Sequence, residues 1–166
     1  AEIAGQPCLA GQRWHWDGVE FAILHPDTEA STAAGKSNHL SCVLSVVAGG
    51  KRMLLTSDIE APDEAALLAR YPGQLTADVL LVPHHGSRTS STPAFLEVVA
   101  PQVAVIPVGY RNRFGHPKAD VVERYVAMGV PLWRTDRDGA VQIRLAQEGL
   151  ALSGWRREYR RYWHDK

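Results

Sequence analysis

Two runs near the middle of the chain, ADVLLVP (77–83) and VAVIPVG (103–109), are apolar along almost their whole length. Short continuous runs of this kind suit buried strands, because a strand with one wet face alternates apolar and polar residues. Segments with helical spacing surround them. APDEAALLARYP (61–72) ends on proline, STPAFLEVVAP (91–101) opens with hydroxyls and a proline suited to a helix start, and KADVVERYVAMG (118–129) is amphipathic and closed by glycine. Strands alternating with helices predict an α/β fold around a mixed sheet with flanking helices.

Hairpins frame this centre. QRWHWDGVEFAILHP (12–26) turns at Asp17-Gly18, and SCVLSVVAGGKRMLLTSDI (41–59) turns at Gly49-Gly50. TEASTAAGKSN (28–38) reads as a loop. PLWRTDRDGAVQIRL (131–145) gives two strands around Asp138-Gly139, with RTDRDG as a solvated turn, and LALSG adds a short last strand. The 166 residues make one domain, 1–154, followed by an Arg/aromatic tail, 155–166. In that tail Trp155, Tyr159, Tyr162 and Trp163 fall on one helical face, which predicts packing against the core; stacking on single-stranded nucleic acid is the alternative.

The formal net charge of zero argues against a strongly basic nucleic-acid binder but leaves room for a local basic patch. Cys8 and Cys42 form no CxxC pair, so no disulfide framework or zinc knuckle is expected, and Cys42 reads as a small core residue. No run approaches the roughly 20 apolar residues of a membrane helix. No signal-peptide pattern is visible.

In open α/β sheets chemistry collects at the carboxyl ends of strands. Those ends carry Asp58 after RMLLTS, His84 and His85 after VLLVP, and the loop GYRNRFGHP with Asn112 and His116. A carboxylate and imidazoles can ligate a divalent cation, although Asp58 could equally cap the helix that follows. Neighbouring side chains diverge, so one histidine of the pair would coordinate and the other would face substrate or move a proton. Gly86 leaves room for a close approach, and Ser87, Thr89, Ser90 and Ser91 suit an anionic group such as phosphate. His25 reads as structural, His15 as half-exposed, and His39 and His164 belong to no constellation.

The segments LLTSDIE, HHGSRTSST, AVIPVGYRNRFGHP and RTDRDGAVQI together resemble the second half of the metallo-β-lactamase-like domain of the ComEC family of DNA-uptake channel proteins. The resemblance runs from about His25 to Leu145. It implies an αββα sandwich, of which this chain is the C-terminal half, with a site for two divalent metals (zinc or manganese). On that mapping Asp58 and His84 are metal ligands, His85 is either a supporting or a substrate-facing neighbour and is taken as catalytic, and Asn112 and His116 bind substrate, joined by Ser87 on the strength of its hydroxyl. The family's glycine before the aspartate is Ser57 here, and its upstream HxHxDH cluster is absent from the sequence. The expectation is therefore a piece of a longer parent, with an incomplete metal site and no activity alone. The implied activity is metal-dependent phosphodiester hydrolysis of the non-imported DNA strand. The implied partners are DNA, the rest of an inner-membrane channel and, through exposed sheet surface, a second copy. The domain would lie on the extracytoplasmic face. A non-catalytic DNA-guiding module and a small-phosphodiester metallo-hydrolase are the alternatives.

Overall fold

The continuous apolar runs are explained by a sheet covered on both faces. The computed structural model describes residues 5–28 and 37–165. Seven strands lie side by side in chain order: β1 (Arg13–Trp16), β2 (Val19–His25), β3 (Val43–Ala48), β4 (Lys51–Leu55), β5 (Val79–Leu81), β6 (Val103–Ile106) and β7 (Leu132–Arg134). β1 to β4 form an antiparallel meander, and β4 to β7 are parallel. The expected mixed sheet is thus observed. Most of the loop expected at 28–38 lies outside the described residues.

Alternate residues of the parallel strands face opposite layers. Leu54, Leu80, Ala104 and Ile106 pack with the helices α1 (Ala61–Arg70), α2 (Pro93–Val99) and α3 (Ala119–Ala127), around the fully buried Phe95, Leu96 and Tyr125. Met53, Val79, Leu81, Val103 and Val105 face the other way. They are covered by a separate hairpin, β8 (Val141–Ala146) and β9 (Gly149–Gly154), through Val141, Ile143, Leu145, Leu150 and Leu152. This hairpin occupies sheet surface that a half-domain was expected to leave open. RTDRDG is not a plain turn: Thr135–Asp138 is one helical turn, α4, and the strands beside it join different sheets.

Three buried polar arrangements hold the helical layer. Glu60 is the N-cap of α1, and Asp63 returns the bond by accepting from the Glu60 N–H (2.9 Å). The fully buried Glu64 accepts from the backbone N–H groups of Ser91 (2.5 Å) and Thr92 (2.8 Å), tying α1 to the start of α2. Burial pushes the Glu64 carboxyl above its usual range, against these bonds and the nearby Arg124 charge. Ser91 shares a hydrogen bond with Tyr125 Oη (3.0 Å), and burial raises the Tyr125 phenol.

Two sequence expectations are corrected. Cys42 is not a free core residue but is disulfide-bonded to Cys8, 34 positions away, which fastens the segment before β1 to the start of β3. The tail does not continue as one amphipathic helix. Its helix α5 (Trp155–Glu158) stops at Tyr159, and Tyr162–Asp165 is a separate 3-10 turn. Trp155, Tyr159, Tyr162 and Trp163 are each at least half exposed. Trp155 and Tyr159 pack against each other with their rings tilted (4.1 Å between centroids), while Arg157 anchors the tail by lying over Trp133 and pairing with Asp138. No helix among the described residues is long and apolar enough to cross a membrane.

Closing a loop of this length is worth about 3–4 kcal/mol in the chain-entropy model. A Cys8→Ser, Cys42→Ser variant should therefore unfold in urea with its stability lowered by roughly that amount. The parent should show the same loss under reducing conditions, whereas the variant should be insensitive to reductant.

Candidate active site

The parallel strands β4, β5 and β6 end at one edge of the sheet, so the loops that follow them are neighbours. Backbone and side-chain hydrogen bonds lock these loops together. His84 N donates to Ser57 O (2.9 Å), Lys118 N donates to Gly86 O (3.0 Å), and Thr56 Oγ1 donates to Leu81 O (2.6 Å). The most constrained piece is the turn after β5. His84, His85 and Gly86 have φ of 48°, 54° and 79°, three left-handed residues in succession. A left-handed non-glycine residue costs roughly 1–2 kcal/mol, and such strain persists where surrounding structure over-determines it, often at functional sites.

The turn separates the two histidines. His85 donates from Nδ1 to the Pro107 carbonyl (2.6 Å), and its Nε2 is 3.4 Å from Asp58 Oδ1. His84 turns to the other side, where its Nδ1 lies 3.3 Å from Thr89 Oγ1 and 3.5 Å from Glu60 Oε1. The structure thus brings Asp58 together with His85, whereas the sequence mapping joins it to His84. Asp58 does not cap α1, since Glu60 does; its own N–H bonds Ser41 Oγ (3.3 Å).

The Asp58–His85 geometry has a chemical consequence. A carbonyl can only accept, so the Nδ1–H of His85 is fixed and a neutral ring turns the Nε2 lone pair toward the carboxylate. Two lone pairs in opposition repel unless a proton on Nε2 or a cation lies between them. Bonds of roughly 2.0–2.2 Å at the tetrahedral angle put two ligands about 3.3–3.5 Å apart, which agrees with the observed 3.4 Å. The Pro107 carbonyl is also the kind of partner that orients metal-ligating histidines. This pair therefore fits a divalent cation as two of its ligands. Among the described residues no three His, Cys, Asp or Glu side chains converge on one point as a metal cage.

His85, Pro107, Val108, Gly109, Asn112, Phe114 and His116 line a cavity of about 210 Å³ beside this pair. Asn112 borders it with both ends of its amide engaged: Nδ2 donates to His116 O (2.7 Å) and Oδ1 accepts from His116 N (2.9 Å). It braces the loop. His116 Nδ1 is buried and has no hydrogen-bond partner among the described residues. Burial, then the charges of Lys118, His84 and His85, hold the His116 ring below the ordinary histidine value of 6.5, against a smaller opposite pull from Asp58.

Ser87 is buried, and its hydroxyl pairs with Thr89 Oγ1 (3.0 Å), the group that touches His84. Ser90 and Ser91 are not exposed phosphate donors. Ser90 Oγ donates to Pro83 O and Ser87 O, and Ser91 Oγ pairs with Tyr125. Gly86 makes room not for a ligand but for Pro117, whose Cβ would lie 2.6 Å from any added Cβ.

Sequence reasoning missed a cluster beneath the site. His39 Nδ1 donates to Asp63 Oδ1 (2.8 Å), and the buried His25 bonds the His39 carbonyl through Nε2 (2.9 Å). Asn38 Nδ2 donates to Glu60 Oε1 (3.2 Å), so this cluster reaches the carboxylate facing His84. His25 is buried within this cluster, and His39 does belong to a constellation. The one local signal for it was the pairing of Glu60 with an acid three residues later.

Comparison with known proteins decides the family. The metallo-beta-lactamase superfamily model matches residues 12–110. The chain belongs to this superfamily, in its ComEC branch. It is 43% identical to "Competence protein ComA" of Neisseria gonorrhoeae over 98% of its own length and 24% of that protein's. "Recombination protein 2" of Haemophilus influenzae is 37% identical over 92% of the chain and 18% of the relative. "ComE operon protein 3" of Bacillus subtilis is 36% identical over 76% and 16%. The chain thus spans about a quarter or less of the length of these relatives.

Two outcomes follow from the local geometry. In an NMR titration His116 should show a midpoint below 6.5, and Lys118→Gln should raise it. Because the unfolded ring takes up its proton first, this residue's contribution is full above 6.5 and stability should fall as pH drops through that value. Gly86→Ala should destabilise the fold by roughly 2–4 kcal/mol, from left-handed strain and the collision with Pro117, measured by chemical denaturation.

Proposed function

We propose that the chain is part of a metal-dependent phosphodiester hydrolase in a DNA-uptake channel, acting on the strand that is not imported. The observation that carries this reading is the opposed Asp58–His85 pair, 3.4 Å apart, at a strained turn beside a cavity. In it Asp58 and His85 hold a divalent cation, zinc or manganese, with further ligands from a preceding part of the parent. The geometry favours exchanging the roles given to the two histidines by motif alone. A cation held by Asp58 and His85 would supply electrostatic stabilisation to a phosphodiester substrate. His84, oriented by Glu60 and Thr89, is the residue that moves a proton at the substrate. His116 offers a neutral ring at neutral pH, Asn112 keeps its loop in shape, and Ser87 acts through Thr89.

Two ligands are fewer than the three or four of a tight zinc site, so the isolated chain binds metal weakly and does not hydrolyse DNA. The Cys8–Cys42 bond supports an oxidising compartment, hence the extracytoplasmic face of an inner-membrane parent. β1, an exposed edge of the seven-stranded sheet, is open to a strand of that parent or of a second copy.

The test is cleavage of labelled DNA by a longer protein containing the complete domain, with and without zinc or manganese, alongside a metal-affinity measurement. Asp58→Ala and His85→Ala should each lower affinity and reduce cleavage by roughly 100-fold or more, exceeding the 10–100-fold typical of outer-shell partners. His84→Ala should leave metal affinity intact and reduce cleavage by about 10²–10⁴. Cleavage at the parent rate in all three variants sinks the site assignment. An inert complete domain that still binds DNA replaces hydrolysis with a guiding role.

A further inference from the structure

The loop between β6 and α3 carries a feature that hydrolysis itself does not use. In GYRNRF (109–114) the residues Tyr110 and Phe114 are 58% and 61% exposed. Arg111 and Arg113 lie against them, their guanidinium carbons 5.2 and 4.9 Å from the ring centres. Both arginines are exposed, and among the described residues neither forms an ion pair. The stretch from Gly109 to Lys118 contains no acidic residue. Phe114 also forms one wall of the cavity beside Asp58 and His85, with its ring stacked near that of His116 (6.0 Å, 20° between planes).

Partly exposed aromatic residues interleaved with guanidinium groups that form no ion pair among the described residues match one kind of partner chemically. A single strand offers unpaired base faces for stacking and regularly spaced phosphates for arginine, whereas a duplex hides its base faces. The cavity, at about 210 Å³, is smaller than the roughly 300–1,000 Å³ that holds a drug-sized ligand. It suits a single ring or phosphate presented by a longer chain.

We propose that residues 110–114 are a grip for single-stranded nucleic acid. Tyr110 and Phe114 stack on unpaired bases, Arg111 and Arg113 take the flanking phosphates, and the held strand enters the Asp58–His85 corner. Only this last step rests on the hydrolase reading.

The test is binding by the chain itself, in a chelator so that nothing is cleaved. Fluorescence anisotropy compares a short labelled oligothymidine with a duplex hairpin of similar length over a range of salt concentrations. The single strand should bind roughly tenfold or more tightly than the duplex. Tyr110→Ala and Phe114→Ala should each weaken it by about tenfold, while Tyr110→Phe should retain it. Replacing both arginines by glutamine should lower the logarithmic salt slope by about 1.4, at roughly 0.7 per phosphate contact. Equal binding of the two forms, binding of neither, or parental affinity in the Tyr110→Ala, Phe114→Ala double variant overturns the proposal. Cleavage of a small aryl phosphodiester by the complete domain separates the two readings. Cleavage without oligothymidine binding removes the grip alone, and binding without cleavage removes the hydrolase alone.

Discussion

The left-handed turn His84-His85-Gly86 is the constraint around which the rest of the site is arranged. An ordinary extended exit from β5 would point successive side chains to opposite faces of the sheet. The turn instead sends one imidazole toward Asp58 and the other toward Glu60, both at the same sheet edge. It is unfavourable on its own, and three neighbours enforce it. The Ser57 carbonyl holds its start, the Pro107 carbonyl holds the His85 ring, and Pro117 packs where a Gly86 side chain would be. These contacts come from the loops after β4 and β6, so the parallel order of the strands is a precondition for the site.

Electrostatics then differentiate residues of similar type. His85 and Asp58 are each close to half exposed, so their mutual attraction or repulsion is softened by water. His116 sits deeper, next to Lys118 and both other histidines, and that environment disfavours its charge. One edge therefore carries a partly exposed acid–imidazole pair suited to a cation and a sheltered imidazole kept neutral. The family membership makes this division meaningful, but the division itself follows from burial and neighbours.

Much of the fold was legible because its signals are local. The buried runs at 77–83 and 103–109, the Asp17-Gly18 and Gly49-Gly50 turns and the three long helices each announce themselves within about a dozen residues. That Asp58, His84 and His85 would meet at one sheet edge was legible for the same reason, as polar groups just past the ends of apolar strands, and His116 follows in the loop after β6. What could not be read depends on distant contacts or on backbone handedness. Cys8 meets Cys42, and His39 meets Asp63, only after the sheet has formed. Which histidine faces Asp58 is decided by φ angles, not by motif order. The aromatic stripe of the tail assumed an unbroken helix, and once α5 ends at Tyr159 the stripe no longer presents one face to the core.

The disulfide and the site belong to one mechanical thread. Cys42, bonded to Cys8, offers its carbonyl to Ser57 Oγ (2.9 Å); the Ser57 carbonyl in turn receives the His84 N–H (2.9 Å). Ser57 has φ of 48° where the family resemblance has glycine, so it adopts a conformation that glycine takes without penalty. Its hydroxyl bond to Cys42 offsets part of that cost, a contribution glycine cannot make. A covalent bond at the edge of β3 therefore stabilises the strained residue beside Asp58, and through it the turn that aims both histidines. Fixing the corner in this way would matter more for the proposed cation site, which would draw only two ligands from this chain. Two donors held at a set separation lose less freedom on meeting a cation than two donors on mobile loops.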